Sequence, residues 1–118
     1  MAQITAELYV ANCLPEGFGL AEHLTIIGAT GLEVRACRVT AHEGSEDQEI
    51  SSDADESNIA FFGIYARDSD GQLNCLHDMP DLEDGANLAV AQSEAVSHAC
   101  RLIAHSGVGL PASVAAPF

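Results

Sequence analysis

Two cysteine–histidine pairs, Cys75-x-His77 and His98-x-Cys100, are the side chains best suited by type to hold a metal ion. Thiolate sulfur and imidazole nitrogen are the donors zinc takes. Their spacing argues against a shared site. Structural zinc sites separate paired ligands by about two to four residues, and here a single residue intervenes. On a strand Cys75 and His77 share a face, whereas on a helix His98 and Cys100 sit about 200° apart and do not reach one ion. The expectation is no metal and no cofactor, with cysteines in apolar elements and histidines at the surface.

Calcium meets a similar objection. Asp53-Ala54-Asp55-Glu56-Ser57 places oxygens at the first, third and fifth positions of an EF-hand loop. The sixth position calls for glycine and holds Asn58; the twelfth calls for glutamate and holds Ile64. Five histidines and several serines are present, but no motif places a nucleophile beside a base. Gly17-Phe18-Gly19 and Gly28-Ala29-Thr30-Gly31 lack the lysine and spacing of a phosphate loop. No basic–aromatic pattern for nucleic acid occurs. The sequence points away from an enzyme.

Charge is the strongest signal. The 118 residues hold 18 acids, four arginines (Arg35, Arg38, Arg67, Arg101) and no lysine, for a net charge of −14. Residues 43–84 carry thirteen of the acids and one arginine, a local net of −12. Such a chain is repelled by nucleic acid phosphates and anionic membranes, and attracted to basic surfaces. No apolar run approaches the ~18 residues of a membrane span. The N-terminal stretch Met1–Glu7 lacks the positive region and apolar core of a signal peptide, so a cytoplasmic protein with unbridged, mostly buried cysteines is expected.

The elements that would carry these groups centre on residues 58–106. Ile59–Arg67 is rich in β-branched and aromatic residues, with Phe61, Gly63 and Tyr65 on one face and Phe62, Ile64 and Ala66 on the other. Asp68-Ser69-Asp70-Gly71 is a hairpin turn, and Gln72–His77 is the return strand. There Leu73 and Cys75 point one way, and Asn74, Leu76 and Asp78 the other. A helix is expected to open at Asp81, with Glu83 and Asp84 in its first turn and Gly107 as its stop. Leu88, Ala91, Ala95, Val96, Ala99, Leu102 and Ile103 form its apolar stripe.

Upstream, Ile4–Asn12 alternates as a strand, and Leu20, Leu24 and Ile27 suit a short helix ending near Gly28, against a competing strand over Leu24–Ile27. Leu32–Ala41 reads as a strand whose phase slips at Arg38-Val39, with Arg35 and Arg38 in structural ion pairs. Residues 43–58 hold seven acids and no base, and read as a solvated loop. The fold class is α+β: an antiparallel sheet of about four strands with one long C-terminal amphipathic helix packed on a face, in the order β-α-β-β-β-α. Residues 1–106 form one domain, and 107–118 an apolar tail.

The functional expectation is a small acidic, non-enzymatic interaction protein. It occupies a basic, nucleic-acid-binding surface of a partner protein or complex, without contacting nucleic acid or membrane itself. DNA mimics and phage inhibitors of CRISPR or restriction complexes work in this style, an analogy from charge and size. Its contact residues are Glu43, Glu46, Asp47, Glu49, Asp53, Asp55, Glu56, Asp68, Asp70, Asp81, Glu83 and Asp84. The alternative is a small-ligand-binding or homodimeric assembly module, built on the apolar hairpin and tail, in which the acids only solubilise. A high-salt proteome would spread its acids evenly, and the clustering here is against that origin.

Overall fold

A computed structural model describes residues 11–15, 17–41 and 48–118. The strand expected at Ile4–Asn12 lies almost wholly outside these residues. Strands β1 (Gly31–Ala41), β2 (Gln48–Ser51), β3 (Phe61–Arg67) and β4 (Leu73–Asp78) form one antiparallel sheet in the order β2-β1-β3-β4. Helix α1 (Leu20–Ile27) precedes it and helix α2 (Leu88–Ser106) follows. The described order is therefore α-β-β-β-β-α. The expected α+β architecture holds, with one strand more than expected between the helices.

That added strand lies inside the stretch read as loop. Gln48–Ser51 pairs with Arg38–Ala41, after β1 has exchanged β3 for β2 as its neighbour between Cys37 and Arg38. The alternation of buried Leu32, Val34 and Ala36 breaks there, because Cys37 is buried as well.

Residues 20–27 are helix. Leu20 and Leu24 are buried, and Gly28 closes the helix in the left-handed region. The hairpin turn forms as its residues demand. Asp68 Oδ1 accepts from the backbone N–H groups of Asp70 and Gln72, each at 2.9 Å. Gly71 takes φ 82°, which a Cβ would disfavour.

One face of the sheet carries the core. Leu32, Val34, Ala36, Phe62, Ile64, Ala66 and Leu76 pack against Ala95, Ala99 and Leu102 of α2. Small alanines let the helix axis approach the sheet. The apolar tail returns to this body: Val34 N–H donates to Ala115 O at 2.8 Å, and Val108, Leu110 and Val114 pack on the core. Phe118 meets Phe62 edge to face at 6.2 Å, and the Gln92 side chain bonds both backbone groups of Phe118.

The long helix starts later than its sequence suggests. Met79 N–H donates to Phe62 O and Leu82 N–H to Ala60 O, so the chain after β4 stays fastened to the start of β3. It turns at Gly85, and Asn87 caps α2 by accepting from Val90 N–H at 3.2 Å. Asp81, Glu83 and Asp84 therefore lie on a loop before the helix rather than in its first turn. Gly107 ends α2 in the left-handed region, as expected.

Candidate functional site: an acid-rimmed cleft

The loop from Met79 to Asn87 and the first turns of α2 enclose a cleft of about 420 Å³. Phe62, Met79, Leu82, Val90 and Ala91 supply apolar surface, and Val90 is 53% exposed. Asp81, Glu83, Asp84 and Glu94 line it too, and among the described residues no cationic one does. Among the described residues the carboxylates of Asp81, Glu83 and Asp84 make no hydrogen bond or ion pair. Each of the three residues is exposed. Their field therefore projects into the cleft and outward, strengthened by its apolar wall.

Three of the four arginines are engaged elsewhere. Glu33 Oε1 receives Arg67 at 2.7 Å and Arg35 at 3.3 Å, while Arg38 meets Asp53 at 3.0 Å. Arg101 stands exposed on α2. The structural ion pairs expected of Arg35 and Arg38 are present.

The remaining acids singled out in the sequence are distributed differently. Asp53 is held below the usual carboxylate range by its hydrogen bond from Arg38 and that guanidinium's charge. Asp55 accepts from the hydroxyl and the N–H of Ser57, which lowers it likewise. It thus closes a local turn. Glu56 borders a smaller depression of about 160 Å³ beside Leu88, Gln92 and Phe118. Asp68 and Asp70 occupy the opposite end of β3, about 20 Å away by strand length. Asp68 is held low by Asn74, then by Gln72 N–H. Glu43, Glu46 and Asp47 lie outside the described residues; Glu49 is on β2, with its side chain outside the description.

Of the twelve acids, three converge on the cleft, joined by Glu94, which sequence reasoning missed. Position 94 follows Asn87 by two helical turns and Val90 by about one, so the helical repeat alone would place it on that side.

The cysteine–histidine pairs divide. The pairing of β3 with β4 shifts register between Ile64 and Tyr65: Ile64 faces His77, and Tyr65 faces Cys75. Leu76 is the extra residue. This bulge turns Cys75 and His77 to opposite faces, contrary to the simple alternation of a strand. His77 stacks on His98 with ring centroids 4.4 Å apart, and its Nδ1 accepts from Asn12 N–H. Burial first, then the neighbouring His98, lowers the His77 pKa below the usual imidazole value, disfavouring the charged ring. All four cysteines are unbridged; Cys37 is buried, Cys13 and Cys75 half-buried, and Cys100 exposed rather than in the core.

Among the described residues no helix is long and apolar enough to cross a membrane. Comparison with protein-family models, curated proteins and solved structures finds no match.

Proposed function

We propose that this chain is a non-enzymatic, cytoplasmic interaction protein that binds a basic, nucleic-acid-binding surface of a partner. The observation that carries this reading is the cleft: an apolar wall with four acids and, among the described residues, no opposing cation. An arginine side chain matches it, since its aliphatic stem packs on apolar surface while its guanidinium seeks carboxylates. Surfaces that hold nucleic acid present arrays of such side chains, and the −12 segment steers them inward. Occupying that surface would exclude nucleic acid from it, as DNA mimics and phage inhibitors of CRISPR or restriction complexes do.

A second reading has the same cleft as a small-ligand site, because its volume falls in the usual range for such pockets. Calorimetry with a nona-arginine peptide, its citrulline counterpart and N-acetyl-arginine amide separates the two. The interaction reading expects binding of the arginine peptide only, weakening as salt rises. Equal affinity for the single arginine derivative would favour the ligand site. Equal affinity for the citrulline peptide would remove charge from the account.

A further inference from the structure

On the sheet face opposite α2, two sulfurs and a carboxylate come together. Cys13 Sγ, Cys75 Sγ and a carboxylate oxygen of Asp78 all lie within 4.8 Å of one another. Cys75 Sγ already donates to Asp78 Oδ1 at 3.4 Å. We propose that Cys13, Cys75 and Asp78 form a binding site for a thiophilic divalent cation, zinc above all, with a fourth position open to water.

Two features of the fold build this constellation, and a third packs beside it. The first is the bulge in β4. Residues three apart on a regular strand face opposite ways, but the extra residue Leu76 places Cys75 and Asp78 on one side. The second is a clamp that brings residue 13 to residues 75–78. Cys13 N–H donates to Leu76 O at 3.0 Å, and Asn12 N–H to His77 Nδ1 at 3.2 Å. Asn12 Oδ1 accepts from Asp78 N–H at 2.8 Å, while its Nδ2 donates to Asp78 O at 3.0 Å. Four bonds thus fix Cys13 beside its partners, an outer shell that orients ligands before any ion arrives. The third is Gly63. A Cβ there would stand 2.8 Å from the Tyr65 ring, 3.1 Å from Cys37 Sγ and 3.4 Å from Asp78 Oδ1. The Tyr65 ring, whose hydroxyl meets Cys37 Sγ at 3.4 Å, therefore keeps its place only over a glycine, while the approach to Asp78 Oδ1 is an ordinary contact.

The donor set selects the cation. Two sulfurs and one oxygen suit zinc better than magnesium or calcium, which take oxygen alone. Ligand atoms around tetrahedral zinc lie about 3.5–3.8 Å apart for bonds of about 2.0–2.3 Å, so rotamer adjustments of about 1 Å close the site. Burial pushes the Cys13 and Cys75 thiols up, so both are protonated at neutral pH without metal. Binding is an exchange: two S–H bonds and all but one of the hydrated ion's zinc–water bonds break, two zinc–sulfur bonds and one zinc–oxygen bond form, and the displaced waters and two protons pass to solvent. Affinity therefore rises with pH.

Cobalt(II) titration of the reduced protein reads the site directly. The expected result is a thiolate-to-cobalt charge-transfer band saturating at one cobalt per chain and displaced by zinc, with about two protons released per zinc. Cys13→Ser and Cys75→Ser should each abolish that band, and Cys100→Ser should leave it. Asp78→Asn should weaken binding by at least about 10-fold, the scale on which even outer-shell losses act. Alkylation of the wild-type chain, followed by mass spectrometry, tests the site even where a variant misfolds. Zinc should protect Cys13 and Cys75 and leave Cys100 reactive. No charge-transfer band, a band that depends on Cys100, or equal alkylation with and without zinc would overturn the proposal.

Discussion

The two ends of the β3–β4 hairpin carry similar acids, but Asp68 at the turn is used in the opposite way to the loop acids at the open end. At the turn, Asp68 accepts from Asp70 N–H, Gln72 N–H and the Asn74 amide, while Arg67 donates to Gly71 O at 2.6 Å. Ser69 N–H reaches Ile27 O, tying the turn to α1. At the other end the loop's backbone is fastened by Met79 and Leu82, yet among the described residues the Asp81, Glu83 and Asp84 carboxylates take no hydrogen bond. A carboxylate that saturates local N–H groups is part of the fold, and moving it costs the turn. One that saturates none costs the fold little to redirect and is available to a partner. A count of acids along the sequence does not separate these cases.

Substitutions can break or sharpen this contrast. Phe62→Ala should have the largest effect. Phe62 is 1% exposed, packs in the core, meets Phe118 and contributes to the cleft, so its loss should destabilise the protein by about 3–5 kcal/mol. Chemical denaturation would show both ends of the hairpin failing together; a loss below about 1 kcal/mol would place the ring outside the shared core.

Gly63→Ala acts between the ends. With Tyr65 2.8 Å from the new methyl, about 1–3 kcal/mol of overpacking is expected, read as a lower denaturation midpoint. Asn87→Ala removes the α2 cap at the open end and should cost about 0.5–2 kcal/mol. If amide exchange slowed nothing and loosened only the first turn of α2, the acidic loop would be confirmed as a separate unit.

Acid titration gives the smallest effect. The folded pKa of Asp68 lies below its unfolded value of about 3.9. Its stabilisation is therefore complete above that value and is lost as pH falls through the folded one. Circular dichroism below about pH 4 should show Asp68→Asn losing less stability per pH step than wild type. Identical acid limbs would mean the turn bonds add nothing.

The hairpin was legible because Asp-Ser-Asp-Gly carries its own turn chemistry, and the α2 stripe because alanines and leucines recur at the helical period. The start of α2 was not. Asp81 is a good local cap, but the backbone at Met79 and Leu82 is already bound to β3, and tertiary bonds outweigh a local preference. Gln48–Ser51 has polar strand residues and forms β2 only because β1 runs on past β3 to offer an edge. The juxtaposition of Cys13, Cys75 and Asp78 depends on a one-residue register shift and a contact 62 positions apart between the cysteines, neither of which periodicity encodes. The cleft was half legible: the loop acids were singled out, while Glu94 was overlooked in a segment of zero net charge.

The central claim is that availability, not charge alone, makes the cleft acids the site. Two isosteric variants of equal charge test it: Asp81→Asn/Asp84→Asn, at unengaged carboxylates, and Asp55→Asn/Asp68→Asn, at carboxylates that already accept local hydrogen bonds. Their affinities for the nona-arginine peptide should be compared at matched salt. The account predicts a loss of roughly 2- to 30-fold for the first, from about 0.2–1 kcal/mol per exposed pair, and less than about 2-fold for the second. Equal losses would contradict it, leaving only the summed charge of the chain to explain binding.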